Sequence, residues 1–223
     1  MKSLSINVSK IDEAIEKTKQ STKRNFIQSV DLIFLFQDLD LKKPENRISE
    51  FIELPNPPFE NKVCFIGTGH LASEAKKTGA DRIISKDELE ELGKNKKDAR
   101  KVVREYDSFI AEASIMPLVG KTLGSLLGPK GKMPMPAPPN VSLGPIIDRQ
   151  RKLILIRIKD QPILQCKVGS EKIESKKISE NIQTIIKSLE GKLARGLKNI
   201  KKIRIKTSMG EPILLYRIGM KTK

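Results

Sequence analysis

The residue types and spacing best suited to chemistry lie near the C-terminal end, in Ile200 to Gly210, I-K-K-I-R-I-K-T-S-M-G. From Lys202 the pattern alternates, with Lys202, Arg204, Lys206 and Ser208 on one side and Ile203, Ile205 and Thr207 on the other. A period of two marks a half-buried β-strand. One face can rest on a core while the other offers a row of three cations, suited to a polyanionic backbone. The strand runs into Thr207-Ser208-Met209-Gly210. There two hydroxyls, a pliable thioether and a glycine allow a turn and the close approach of a partner. An amphipathic strand with a solvated face has the same pattern, so this stretch does not decide the matter alone.

The distribution of charge adds weight. The chain of 223 residues has a formal charge of +16. Residues 1–58 hold 9 Lys/Arg against 9 Asp/Glu, residues 59–153 hold 17 against 12, and residues 154–223 hold 17 against 6. The basicity is therefore concentrated in the last third, which points to nucleic acid rather than to a membrane surface. Cys64 and Cys166 sit in apolar runs without His or Cys companions at metal spacing. This predicts free thiols in a reducing cytosol, and neither a metal nor a cofactor. No apolar run approaches the ~18 residues of a membrane span, and the polar N-terminus does not read as a signal peptide.

These residues need elements to hold them. Ser9-x-x-Asp12 predicts a helix start, continued by Ile11, Ala14, Ile15 and Thr18 at helical spacing. Arg24 to Leu35 reads as a strand that carries Arg24, Phe26 and Ser29; Phe26 suits core packing or contact with a base or sugar. Ile48 to Leu54 is a short strand, and Pro55-Asn56-Pro57-Pro58 closes a first segment. Beyond it, an apolar run ending in glycines at 62–69 and further runs at 81–85 and 108–113 alternate with helical stretches, including a long charged helical segment from Lys86 to Tyr106. That alternation predicts βαβ units and a parallel, Rossmann-like sheet. Leu127 to Pro139, dense in Gly and Pro, predicts an irregular extended path. Leu153 to Ile158 and Ile163 to Val168 read as a hairpin. An amphipathic helix on Ile178, Ile182, Ile185, Ile186 and Leu189 follows, then the strand first described, and a final strand over 213–217. The fold class is α/β and α+β. A split α+β domain from 1–58 plus 154–223 holds an inserted Rossmann-like domain at 59–153.

Two nucleotide motifs fail on spacing. Gly67-Thr68-Gly69 has Ala72 where a third glycine belongs, and Gly120-Lys121-Thr122 has Ile115 where a P-loop opens with glycine. The single histidine, His70, lacks an acid–base companion and reads as a helix-start residue. A nucleotide-dependent enzyme and a DNA-binding regulator are the rival classes; no recognition-helix motif stands out for the second.

Leu127 to Pro138, L-G-P-K-G-K-M-P-M-P-A-P, resembles the glycine-proline signature of the large-subunit ribosomal protein L-one family in its archaeal form. Arg24 to Val30 is similar to that family's early strand with its RNA-facing phenylalanine, and Thr207-Ser208-Met209-Gly210 to its Thr-Thr-Met-Gly segment. Two departures are Ser208 in place of a common threonine and Glu211 in place of a common proline. The resemblance implies a non-enzymatic, cytoplasmic component of the ribosome, monomeric when free. It would bind large-subunit rRNA at the mobile stalk, assist release of deacylated exit-site tRNA, and repress translation of its own mRNA. Arg24, Phe26, Ser29, Lys167, Lys202, Arg204, Lys206, Thr207, Ser208, Met209 and Gly210 are the expected RNA-binding residues.

Overall fold

A computed structural model describes residues 8–21, 24–43, 46–138, 141–193 and 195–217. The chain divides into two compact units, Met1–Phe59 with Leu153–Lys223, and Glu60–Lys152.

The first unit contains helix α1 (Val8–Ser21), strands β1 (Ser29–Phe36) and β2 (Ser49–Glu53), and, after the second unit, β7 (Leu153–Arg157) and β8 (Ile163–Ser170). Helix α7 (Ser175–Glu190), a 3-10 turn at Gly196–Asn199, β9 (Ile200–Thr207) and β10 (Ile213–Arg217) complete it. Four strands form an antiparallel sheet in the order β10-β9-β1-β8. The central pair, β1 and β9, thus comes from opposite ends of the chain. Alternation assigns Val30, Leu32, Phe34, Ile203 and Ile205 to the face covered by α1 and α7. The α7 stripe of Ile178, Ile182, Ile185 and Leu189 is fully buried there, each side chain worth about 1.5–3 kcal/mol of apolar transfer. The helix seats closely on β8: a Cβ at Gly169 would meet Ile178 Cγ1 at 2.7 Å.

Several expectations require correction. Strand β1 begins only at Ser29, so Arg24 to Gln28 form an irregular approach to it. Strands β7 and β8 are not hairpin partners. β7 pairs with β2 in a separate two-stranded ribbon, and β8 pairs with β1. The pairing of Glu53 with Leu153 also brings Leu153 into the first unit. Phe59 joins that unit too, with Lys167 Nζ 5.9 Å from the centre of its ring. Helix α1 begins before Ser9, whose side chain lies outside the described residues.

The second unit is a parallel sheet in the order β4-β3-β5-β6, from β3 (Val63–Ile66), β4 (Arg82–Ile84), β5 (Ser108–Glu112) and β6 (Met135–Ala137). Helices α3 (Lys86–Lys94), α4 (Lys96–Glu105) and α5 (Met116–Lys130) share one apolar cluster, and α2 (Gly69–Lys77) and α6 (Leu143–Lys152) another. The long helical segment expected over Lys86 to Tyr106 is two helices parted at Asn95. That residue leaves helical geometry at φ −108° and ψ 90°, and its side chain accepts the Lys97 N–H at the start of α4. The glycine-proline run is more regular than expected. Leu127 to Lys130 form the last turn of α5, Gly131 ends it in the left-handed conformation at φ 70°, and 135–137 form β6. Pro139 lies outside the described residues. Helix α6 carries no helix signal strong enough to be expected, because Gly144 and Pro145 stand in its first turn.

Candidate nucleic-acid interface

With one face of the four-stranded sheet under helices, the other carries the candidate site. Strand pairing sets its side chains in rows across the sheet, since directly paired residues point the same way. Arg217, Lys202, Leu35 and Ile163 make one row, Leu214, Arg204, Ile33 and Gln165 the next, and Lys206, Asp31 and Lys167 a third. Lys202, Arg204 and Lys206 are half-exposed, and Ser208 is exposed just beyond them. Along β9 the cations recur every second residue, roughly 7 Å apart at strand rise. Apolar Ile163 and Leu214 remain substantially exposed among them, so the face combines charge with apolar contact area.

At one end of this face two segments meet. Val30 pairs with Thr207, which brings the approach to β1 beside the turn leaving β9. Ser208 donates its N–H to the Ser29 carbonyl at 3.0 Å, and its hydroxyl donates to the same oxygen at 3.3 Å. Met209 donates its N–H to Gln28 Oε1 at 3.1 Å, and Gly210 its N–H to the Thr207 carbonyl at 3.0 Å. The turn is thereby fixed while its apex stays open: Met209 is 60% exposed, and Phe26, on the approach to β1, is 56% exposed. Two large apolar side chains are thus exposed to water on segments that flank the cationic sheet face, one on the approach to β1 and one on the turn leaving β9.

The structure sets Ser29 beside Ser208 and joins the Met209 turn to Gln28, with Arg24 and Phe26 on the segment leading into β1 and Lys202, Arg204, Lys206 and Lys167 on the adjoining face. Thr207 requires correction. It is fully buried on the helix-covered side of β9, and its hydroxyl cannot reach a partner at the surface. The backbone amides of residues 208, 209 and 210 are likewise engaged within the protein. What the turn offers outward is carbonyl oxygen, the Ser208 lone pairs and the Met209 thioether, a surface of acceptors and apolar contact. Gln28, Asp31, Gln165, Glu171 and Arg217 also shape the site. None announces itself in one sequence, because each acquires its role from a strand partner distant along the chain.

Neither glycine motif of the second unit forms a phosphate cradle. Gly120-Lys121-Thr122 lies inside α5, where the backbone is helical and cannot wrap an anion as a loop does. Beyond Gly67, the Thr68 N–H is taken by Glu112 Oε2 at 3.3 Å, so a carboxylate already occupies the crevice at the strand ends. Burial pushes the Cys64 and Cys166 thiols up to about 12, far from a reactive thiolate. No described helix is long and apolar enough to cross a membrane.

A two-unit α/β protein with an exposed cationic sheet face and a tethered Ser-Met-Gly turn is the class these observations define. Residues 16–211 match the ribosomal protein L1p/L10e family, and the chain belongs to that family. It is 45% identical over 202 residues to the large ribosomal subunit protein uL1 of Methanothermobacter thermautotrophicus, covering 90% of this chain and 95% of the relative. The uL1 protein of Methanosphaera stadtmanae is 46% identical over 202 residues, with the same coverage of 90% and 95%. That of Hyperthermus butylicus is 41% identical over 205 residues, covering 91% and 94%. The archaeal form of the family is thus the one this chain resembles throughout.

Proposed function

We propose that this protein is a structural component of the large ribosomal subunit and binds structured rRNA through the open sheet face and the Ser208–Gly210 turn. The observation that carries this reading is the paired exposure of Phe26 and Met209 at the end of the cationic rows. Lys202, Arg204, Lys206 and Lys167 neutralise phosphates, while Met209 and Phe26 pack on sugar or base. The turn's outward acceptors meet ribose 2′-hydroxyls, which are donors that DNA lacks. Shape is then read more than sequence. Relatives named as large ribosomal subunit proteins support the assignment to the ribosome. Membership of the family extends the proposal to the mobile stalk, to release of deacylated tRNA from the exit site, and to repression through a similar fold in the protein's own mRNA. The free protein is proposed to be a monomer.

Filter binding to a hairpin-loop fragment of large-subunit rRNA tests the reading. Met209→Asp places a charge at an apex already exposed to water, so the fold survives while tight binding is lost. Lys96→Glu, on α4 of the second unit, changes affinity little. Equal losses in the two variants mean diffuse electrostatics and sink the proposal.

A further inference from the structure

Gln28 is 1% exposed, yet its side chain reaches the apex of the turn at Met209, where Ser29 holds only Ser208. Its Nε2 donates to Glu171 Oε1 at 2.8 Å, and its backbone N–H donates to Glu171 Oε2 at 3.2 Å. Its carbonyl accepts the Glu171 N–H at 3.0 Å, and its Oε1 accepts the Met209 N–H at 3.1 Å. A carboxylate has only acceptors. Glu171 therefore compels the amide to face it with nitrogen, which leaves oxygen facing Met209. The orientation of one buried side chain is dictated by a charge on its far side.

We infer that Gln28, oriented by Glu171, is a positioning residue that holds the Met209 amide inward and so sets the turn's outward surface to acceptors alone. This rests on the reading of the turn as the RNA contact. If the Met209 N–H were released, the peptide could rotate, trading an outward acceptor for a donor and displacing the thioether. A 2′-hydroxyl partner would then lose both its acceptor and the neighbouring apolar contact.

The relay can be reversed by exchanging its two members, which provides its test. In Gln28→Glu two carboxylates confront each other, and neither can donate. In the double variant Gln28→Glu with Glu171→Gln, the amide introduced at position 171 donates through its nitrogen to the carboxylate at position 28, and its oxygen still accepts the backbone N–H of that position. The carboxylate at position 28 retains an oxygen for the Met209 N–H. The full-length protein carries each change, and two quantities are measured: protection of the Met209 amide from hydrogen exchange without RNA, and affinity for the rRNA hairpin. Gln28→Glu should lose the protection and weaken binding by about tenfold or more at neutral pH, and the double variant should regain both. A double variant no better than the single one overturns the relay, as does unchanged amide protection in Gln28→Glu. Lost protection with undiminished affinity shows that the turn's geometry does not govern binding, which overturns the positioning role. Failure of the unaltered protein to bind the hairpin removes the RNA reading instead, while the exchange data still judge the relay.

Discussion

Asp31 stands directly opposite Lys206 in the β1–β9 ladder, and on its other side opposite Lys167 in the β1–β8 ladder. A carboxylate thus lies between two lysines in the middle of a face otherwise rich in cations, and it accepts a hydrogen bond from Gln165 Nε2 at 3.3 Å. Burial is the dominant influence on it and holds its carboxyl above the ordinary range, against the opposing pull of Gln165, Lys167 and Lys206.

The sign of the stability effect follows. A carboxyl raised on folding binds a proton more readily in the folded chain than in the unfolded one, so its ionisation costs stability above the raised value. That cost fades as pH falls through the raised value to the ordinary one. Asp31→Asn keeps an acceptor for Gln165 and removes the buried charge. It should be modestly more stable than the natural protein at pH 7, with the difference gone by about pH 4. Urea midpoints at the two pH values measure this; a variant less stable at pH 7 would refute the account of Asp31 as a burial-strained acid.

The neighbouring cations give a prediction in the binding dimension. Replacing Lys202, Arg204 and Lys206 together by Gln leaves the buried face of β9 untouched, since Ile203, Ile205 and Thr207 hold it. Three lost phosphate contacts should lower the slope of log affinity against log salt by about 2 to 3. An unchanged slope would mean that these side chains do not meet phosphate.

How much of the site is legible in the sequence differs by residue. The alternation of Lys202, Arg204 and Lys206 with Ile203, Ile205 and Thr207 is readable because the period of a strand is local. The placing of Phe26 and Met209 at one end of the sheet follows only from family resemblance, as no local rule brings residues 26 and 209 together. The hairpin expected from Leu153 to Val168 fails because the Asp160-Gln161-Pro162 turn sends β8 to β1 while β7 pairs with β2. Turn chemistry says that the chain reverses, not which sheet receives each strand. Burial of the Thr207 hydroxyl is implicit in the alternation itself, which outweighs its place beside Ser208.

Asn181 marks where the first unit secures the segment leading out of it. The side chain is fully buried in α7. Its Oδ1 accepts the Asn56 N–H at 3.0 Å, and its Nδ2 donates to the Asn56 carbonyl at 2.5 Å and to the Val168 carbonyl at 2.8 Å. One amide therefore satisfies both backbone groups of Asn56 and the Val168 carbonyl of β8. Asn181→Leu keeps the volume and strands those groups, so it should cost about 2–4 kcal/mol. Chemical denaturation followed by a probe in this unit would show it, and a loss below about 0.5 kcal/mol would mean that water replaces the clamp.

Lys132 explains part of the glycine-proline signature without recourse to a ligand. Its Nζ donates to the Tyr106 carbonyl at 2.6 Å and the Val103 carbonyl at 3.3 Å, and it pairs with Asp107 at 3.7 Å. These carbonyls lie at the C-terminal end of α4, where a cation also complements the helix dipole. The left-handed turn at Gly131 ends α5 immediately before this lysine. Pro134 and Pro136 follow it, Pro136 within the edge strand β6, where a missing N–H does least harm. Burial lowers the Lys132 ammonium from its ordinary value, while Asp107 opposes the shift, as befits a cation recruited into the structure. Lys132→Met should therefore destabilise the second unit by about 1–3 kcal/mol while leaving rRNA affinity unchanged. The reverse result, intact stability with weakened binding, would transfer this lysine from the architecture of the unit to its contact surface.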